Sequence, residues 1–444
     1  MASAAEQLAA NLNFKAFGKA TELKQRIWFT LAALVVYRLG TYIPLPGIDP
    51  IALEQAFDQA QSGLLGLFNV FAGGAVGRMA IFALGIMPYI SASIIIQLLT
   101  TVIPRLEQLK KEGEQGRKMI NQYTRYGTVV LATVQAYGIS IGLESAGNIV
   151  TDPGWFFRFT TVVTLVGGTM FLMWLGEQIT SRGVGNGISL IIFSGIIAEL
   201  PAAMAGMLEL GRQGALSTVV ILGVIVMAVV VIAFIVFVER AQRRLLIQYP
   251  RRQVGNRMFQ GDSSHLPLKL NTAGVIPPIF ASSLLLLPAT ATGAIGQDSP
   301  EWLTTLQILF GHGQPLYMAL YAAGIIVFAF IYTSVVFDTT QVSDNLKKYG
   351  GFIQGYRPGA RTAEYLDYVL TRLTVIGALY LTLVCLMPEI LRAQFPSIPV
   401  YLGGTSLLIV VSVTLDTVGQ IQGHLLAQQY ESLIKKSKLR GGRK

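Results

Sequence analysis

Side chains that commonly do bond chemistry are few and scattered in this sequence. Its three histidines, His265, His312 and His424, lie outside the long apolar runs and far apart along the chain. That spacing offers no base for a serine nucleophile and no cluster of metal ligands. The single cysteine, Cys385, lies inside an apolar run, where burial disfavours a reactive thiolate. Asp416 is the only acid well inside such a run, so a pair of catalytic aspartates is not expected.

Motifs for nucleotide binding are also missing from the sequence. No GxxxxGK[ST] phosphate loop occurs, and the glycines of 183–187 follow no strand pattern. Arg38 and Asp416 are nearly the whole ionisable content of the apolar runs, whereas ion-coupled carriers usually bury several such groups. We therefore expect a protein that is not an enzyme and needs no cofactor. Transport through sites built from backbone carbonyls remains as an alternative.

The apolar runs predict an all-helical integral membrane protein. The chain is 52% hydrophobic and 13% charged, against about 25% charged residues in a soluble domain. Runs of this kind are long enough to cross a bilayer as helices and lack the alternation of a barrel strand. Ten are found, with approximate cores at Ile27–Ile43, Ala80–Leu99, Tyr126–Ile141, Phe156–Leu175, Gly187–Met207, Ala215–Val238, Val275–Ala294, Leu316–Phe337, Val369–Met387 and Val400–Val418.

Basic residues predict the orientation of these ten spans. With ten spans both termini lie on one side, and 29 of the 34 lysines and arginines fall on that side. The positive-inside rule makes it the cytoplasmic side. Span counting also divides the chain into two halves of five, joined by an external loop at Glu199–Gln213. The predicted units are a cytoplasmic amphipathic segment at 1–26, which is a surface helix or a solvated tail, the halves 27–207 and 208–423, and a basic tail at 424–444.

Three segments between spans carry their own patterns. The cytoplasmic loops 239–270 and 338–368 are long and basic, and Leu245–Tyr249 is typical of a short strand, which predicts a hairpin. These loops are either solvated topology signals or docking surfaces. On the external side, the apolar segment 64–74 is too short to span. It fits a re-entrant half-helix buried by protein, or an interfacial helix.

Several motifs resemble those of the SecY/Sec61-alpha family of protein-secretion channels. They are Gly85–Leu99, Lys110–Glu114, Tyr123–Gly127, Met173–Thr180, Gly185–Ser189, Asn271–Pro277, Phe280–Ser283, Arg357–Gly359 and Gly403–Ile409. The resemblance implies two pseudo-symmetric five-helix halves around a central pore in the bacterial cytoplasmic (inner) membrane. Unfolded secretory polypeptides would cross this pore, and transmembrane segments would leave sideways between spans 2 and 7. A secondary transporter of a small solute is the alternative from another class, and a structural scaffold is a third.

The resemblance also implies a pore constriction and a plug. The constriction would be a ring of Ile86, Ile90, Ile188, Ile192, Ile279 and Ile409. The spacing within the first two pairs is i,i+4, which places each pair on one helix face. From the pattern alone these isoleucines would be ordinary packing residues. The plug would be the segment 64–74, with the apolar side chains Leu64, Leu65, Leu67, Phe68, Val70 and Phe71.

A lateral gate and a docking surface complete the implied sites. Ser91, Gln97, Asn271 and Ser283 would hydrogen-bond across the closed gate, unless each bonds within its own helix. Docking would involve Arg243, Arg244, Arg251, Arg252, Arg257, Lys347, Lys348 and Arg357. In the first loop Asn256 departs from a Gly-Arg-Arg pattern of some family members, which removes one basic contact. The implied partners are SecE and SecG, the SecA motor ATPase, the ribosome, SecDF and YidC, signal peptides and unfolded chains, and anionic lipids.

Overall fold

The computed structural model describes residues 21–53, 69, 72–145, 149–214, 217–249, 252–254, 257–259, 263–293, 314–394 and 403–441. The backbone alone is described at 252–254, 257–259, 286–293, 392–394 and 429–441. Most of the amphipathic segment predicted at 1–26 and all six side chains named for the plug therefore lie outside the described residues.

Helices account for almost all of the described chain. The first half contains α1 (Thr21–Gly40), α2 (Met87–Val102), α3 (Pro104–Lys111), α4 (Glu114–Ser145), α5 (Trp155–Arg182) and α6 (Gly187–Arg212). The second contains α7 (Thr218–Arg240), α8 (Ile276–Gly293), α9 (Pro315–Val336), α10 (Thr339–Lys348), α11 (Ala360–Gln394) and α12 (Gly404–Gly441). Each of the ten predicted spans coincides with one of these helices. By length and apolar composition, seven helical segments of the described residues qualify as spans, and α2 with α3 forms an eighth that is bent by 99°.

The second span begins later than the sequence predicted. Ala80 forms an isolated β-bridge with Pro44, residues 81–86 form turns, and α2 starts only at Met87. Two positions explain the delay, because Met79 and Gly85 have φ angles of 40° and 57°, which no α-helix accommodates. Pro88 then lies in the first turn of α2, where a missing N–H removes no intrahelical bond. Ile86 is consequently the N-cap of α2 rather than a residue within it.

The connection between the two halves is also shorter than the sequence predicted. Glu199–Gln213 was expected to be an external loop, but α6 continues to Arg212 with Pro201 inside it. Alanine, methionine and leucine dominate this stretch, and their high helix propensity favours continuation of the helix. The predicted boundary at 207/208 therefore falls inside α6. In the seventh span, Pro277 and Pro278 lie in the first turn of α8 and do not interrupt it.

The helices pack as two groups that meet along a seam. Within the first half, α4 packs on α2 and α5, and α6 packs on α5 and α1. Within the second half, α9 packs on α8 and α11, and α12 packs on α7 and α11. Across the seam, α2 and α4 contact α8 on one side, while α6 contacts α12 on the other. Helices α2, α4, α6, α8 and α12 therefore line the boundary between the halves.

A small sheet joins the two loops that the sequence predicted to be cytoplasmic. Strand β1 (Gln242–Gln248) pairs antiparallel with β4 (Ser263–Lys269), which confirms the predicted hairpin, and β2 (Arg252–Val254) pairs with β3 (Arg257–Phe259). The sequence did not predict β5 (Phe352–Ile353), which comes from the second loop and pairs with the free edge of β1. Leu245, Leu268 and Ile353 on the sheet pack with Leu366 and Val369 of α11. The two loops thus form one folded unit.

Candidate pore and gate

All six isoleucines of the predicted ring belong to one hydrophobic cluster at the seam. Five are buried, with exposed fractions between 1% and 8%, and Ile188 packs against them while partly buried. They come from the start of α2, from α6, from α8 and from α12, so both halves contribute. Aliphatic side chains offer no fixed hydrogen-bond partner and can exclude water and ions when they close together. The arrangement is suited to an apolar seal.

Local backbone features set the position of α6 within this cluster. The side chain of Asn186 caps α6 and accepts a hydrogen bond from the Ile188 amide at 3.1 Å. Gly187 lies so close to α5 that a Cβ would be 2.0 Å from the Gly176 carbonyl oxygen. The absence of a side chain at Gly187 thus allows α5 and α6 to approach, and this places Ile188 and Ile192 at the seam.

Two arginines hold the end of the segment that was predicted to be the plug, 64–74. Arg38 Nη1 and Arg78 Nη2 donate to the same carbonyl oxygen, that of Gly73, at 2.5 and 2.9 Å. Both guanidinium groups also lie over the ring of Tyr42, at 4.9 and 4.3 Å from its centroid. Glu199 of α6 is 4.0 Å from Arg38. The sequence did not predict that these two arginines converge, because they are 40 residues apart and nothing local indicates the contact.

Three of the four predicted gate residues form hydrogen bonds within their own half. Gln97 donates to Ser93 at 3.3 Å and Ser283 donates to the Ile279 carbonyl at 2.8 Å, so each bonds within its own helix. Asn271 donates to Glu239 of α7 at 2.7 Å, which ties the residues before α8 to the second half. Ser91 is buried on α2. For Gln97 and Ser283 the structure therefore favours the own-helix alternative.

The predicted docking residues lie on the folded unit that the two basic loops form. Arg243, Arg244, Lys347, Lys348 and Arg357 are exposed, and the five positive charges leave this surface open to an anionic partner. The backbone at Arg252 and Arg257 belongs to the second hairpin, and Arg251 lies outside the described residues.

Arg357 borders an open pocket of about 630 Å³ that Tyr356, Tyr365 and Tyr368 also line. The rings of Tyr356 and Tyr365 stack with centroids 4.1 Å apart. Arg372 lies over the ring of Tyr368, at 4.2 Å from its centroid. Arg357 therefore lies beside aromatic side chains rather than on a bare turn.

The acidic side chains lie in surroundings that the sequence analysis did not predict. Asp416 is exposed and lies 3.7 Å from Lys269, so it is no buried acid. Glu389 of α11, which the sequence analysis did not single out, is only 6% exposed. Glu177 of α5 accepts a bidentate pair from Arg125 of α4, with Nε 3.2 Å from Oε1 and Nη2 2.7 Å from Oε2. In the described residues no group of three or more acidic, histidine or cysteine side chains is placed to hold a metal ion.

The fold and the aliphatic seam define a class: a multi-spanning helical membrane protein whose two halves meet at an apolar centre. A family model described as SecY matches residues 80–418. The protein translocase subunit SecY of Rickettsia conorii is 56% identical over 423 residues, which are 94% of this chain and 97% of the relative. The subunit of Escherichia coli K12 is 54% identical over 424 residues, 95% and 96% of the two chains. This chain belongs to the SecY family.

Solved structures agree with this fold. A protein-conducting channel matches with a TM-score of 0.64 at 17% identity, covering 90% of this chain and 92% of that chain. Sec61 in the canine ribosome–channel complex from the endoplasmic reticulum matches with a TM-score of 0.63 at 17% identity, with the same coverage of both chains. At such identities the match concerns the fold. The relatives are named as translocase subunits and channels, and none of these names describes a solute carrier.

Proposed function

We propose that this chain is the central pore-forming subunit of a protein-conducting channel in the bacterial cytoplasmic membrane. It moves unfolded secretory polypeptides across the membrane and releases transmembrane segments sideways into lipid. The observation that carries the proposal is the cluster of six isoleucines, to which both halves contribute. Because the side chains of this cluster are apolar, the halves can separate at the cluster without breaking an ion pair within it, and they can close again into a seal.

The lateral gate is assigned to the seam between α2 and α8. These helices are in contact, and the polar side chains near the contact bond mainly within their own half. Separation of the two helices therefore costs mostly apolar contact, which a passing apolar segment restores. The segment 64–74 is assigned as the plug on the external side of the ring, next to the carbonyl that Arg38 and Arg78 hold.

The partners follow from the charged cytoplasmic unit and the absence of any catalytic motif from the sequence. A channel that does not hydrolyse nucleotide needs a motor or a ribosome to drive the polypeptide, so SecA and the ribosome are assigned to the surface around Arg243, Arg244 and Arg357. SecE and SecG are assigned as small membrane subunits of the complex, with SecDF and YidC as accessory partners and anionic lipids at the basic loops. Both termini are assigned to the cytoplasm from the basic-residue count.

Reconstitution tests this function directly. The chain is co-expressed with SecE and SecG, purified as a complex and placed in vesicles of phosphatidylethanolamine and phosphatidylglycerol. With SecA and ATP, a radiolabelled secretory precursor becomes protected from added protease if the chain conducts polypeptides. Vesicles with SecE and SecG alone are the matched control. Equal protection in both preparations, or co-purification of no small membrane subunit, would contradict the proposal.

A further inference from the structure

One hydrogen bond crosses from the first half to the second on the cytoplasmic side of the proposed gate. Lys110, near the end of α3, donates from Nζ to the carbonyl oxygen of Val335 at 3.1 Å, across a sequence separation of 225 residues. Helix α3 follows α2 after the 99° bend and packs on α2 and α4, which are both first-half elements. Val335 lies in the last turn of α9, which packs on the gate helix α8. The side chain of Lys110 therefore spans the seam.

The acceptor end of this contact is suited to a cation. The last four carbonyls of a helix have no partner within the helix, and the helix dipole places partial negative charge there. Asp338 adds a full negative charge three residues later, and its carboxylate caps α10 by accepting from the Thr340 and Gln341 amides at 3.0 Å. Those bonds, together with the Thr340 hydroxyl and the charge of Lys110, hold the pKa of the Asp338 carboxyl below its usual range. The carboxylate therefore stays charged at neutral pH.

The neighbouring Lys111 has a different role, which makes it a matched control. Its Nζ bonds to Glu107 at 2.7 Å, one turn earlier on the same helix. The ion pair lies within α3, and the charge of Asp338 acts on Lys111 through space. Removing Lys111 thus deletes the same charge from the same short helix and leaves the bond between the halves in place.

We infer that Lys110 is a positioning residue that holds the lateral gate closed from the cytoplasmic side, by fastening α3 to the end of α9. This inference rests on the proposed gate between α2 and α8. When α8 and α9 move away from α2, the lysine must leave the α9 carbonyl, so its bond contributes only to the closed state. A ligand or a partner that takes up the Lys110 ammonium group or covers the Val335 carbonyl would favour opening, because it would bind only one of the two states.

Chemical labelling of buried gate positions measures the open fraction. In full-length chain carrying Cys385→Ser, with SecE and SecG in membranes, a cysteine replaces Ser91 on α2 or, separately, Ser283 on α8. Both serines are buried in this structure, with exposed fractions of 8% and 6%. The rate of reaction with a small membrane-permeant maleimide then reports how often the gate opens.

Lys110→Ala is expected to raise both labelling rates about two- to fivefold, which is the change in equilibrium that corresponds to the stabilisation by a cation at a helix C-terminus. The labelling rates of Lys110→Arg and of Lys111→Ala should both stay near those of the unchanged chain. Asp338→Asn keeps the helix cap but removes the anion, so it should raise the rates less than Lys110→Ala and add little to it. Unchanged rates in Lys110→Ala, or an equal rise in Lys111→Ala, would overturn the inference. Export of a normal precursor by the same membranes tests the proposed function separately.

Discussion

Replacing one isoleucine of the ring with a polar residue should open the channel at rest. Ile192 of α6 is 5% exposed and lies in the seam cluster. In Ile192→Asn the closed state loses the burial of an aliphatic side chain, about 1.5–3 kcal/mol. It also buries an amide without a partner, at about 1–3 kcal/mol. Once the halves separate, water or a passing chain satisfies the amide, so the cost of about 2.5–6 kcal/mol falls on the closed state.

At about 1.4 kcal/mol per factor of ten, the closed-to-open ratio should fall by roughly 10² to 10⁴. The assay is ion conductance of the purified complex in planar bilayers without precursor, where the variant should conduct and the unchanged chain should stay shut. Ile197→Asn is the matched control, because this residue is on the same helix but 38% exposed, and its surroundings need not change on opening. Equal conductance in the two variants would refute the assignment of Ile192 to the seal.

Three further variants test the packing around the site by thermal unfolding of the complex in detergent. Gly404→Ala should prevent stable folding, because its Cβ would lie 1.8 Å from the Val384 carbonyl oxygen. The control Gly419→Ala has open space on the same helix and should change the unfolding midpoint by no more than a few degrees, so similar midpoints for the two variants would contradict the close approach of α11 and α12. Arg125→Gln should cost about 0.5–1.5 kcal/mol, because the pair with Glu177 is bidentate but partly exposed; adding Glu177→Gln should cost little more, and strictly additive losses would refute the coupling. Arg38→Gln and Arg78→Gln should each lower the unfolding midpoint slightly, because the Gly73 carbonyl keeps one donor in each. The double variant should lower the midpoint by more than the sum of the two single changes, and additive changes would show that the two donors act independently.

The helices were predictable because a bilayer leaves the chain little choice. Backbone groups in lipid must bond internally, so each long apolar run indicates a helix, and all ten runs coincide with one. Helix ends were less predictable. The late start of α2 depends on positive φ angles at Met79 and Gly85, and α6 continues through Pro201 to Arg212. Apolar composition does not report either feature.

Contacts between distant segments were the part that sequence patterns missed. The strand β5 joins a sheet whose other strands lie about a hundred residues earlier in the chain, and its short sequence has no strand pattern of its own. Likewise, Arg38 and Arg78 meet at one carbonyl only because α1 and the turns after residue 72 are folded together. The ring of isoleucines was found through the family resemblance, since i,i+4 spacing alone is typical of ordinary packing. The structure adds that both halves contribute to the cluster.

Site-specific cross-linking to an arrested polypeptide tests the central claim most directly. In chain carrying Cys385→Ser, single cysteines replace Ile90, Ile192 or Ile279, and a secretory precursor is stopped midway with SecA and ATP. Cysteines at Ile95, Ile197 and Leu284, which are exposed on the same three helices, serve as controls. The account predicts adducts with the arrested chain at the ring positions and none at the controls. Adducts at the exposed positions instead, or only on the cytoplasmic loops, would show that polypeptides do not pass through the isoleucine seam.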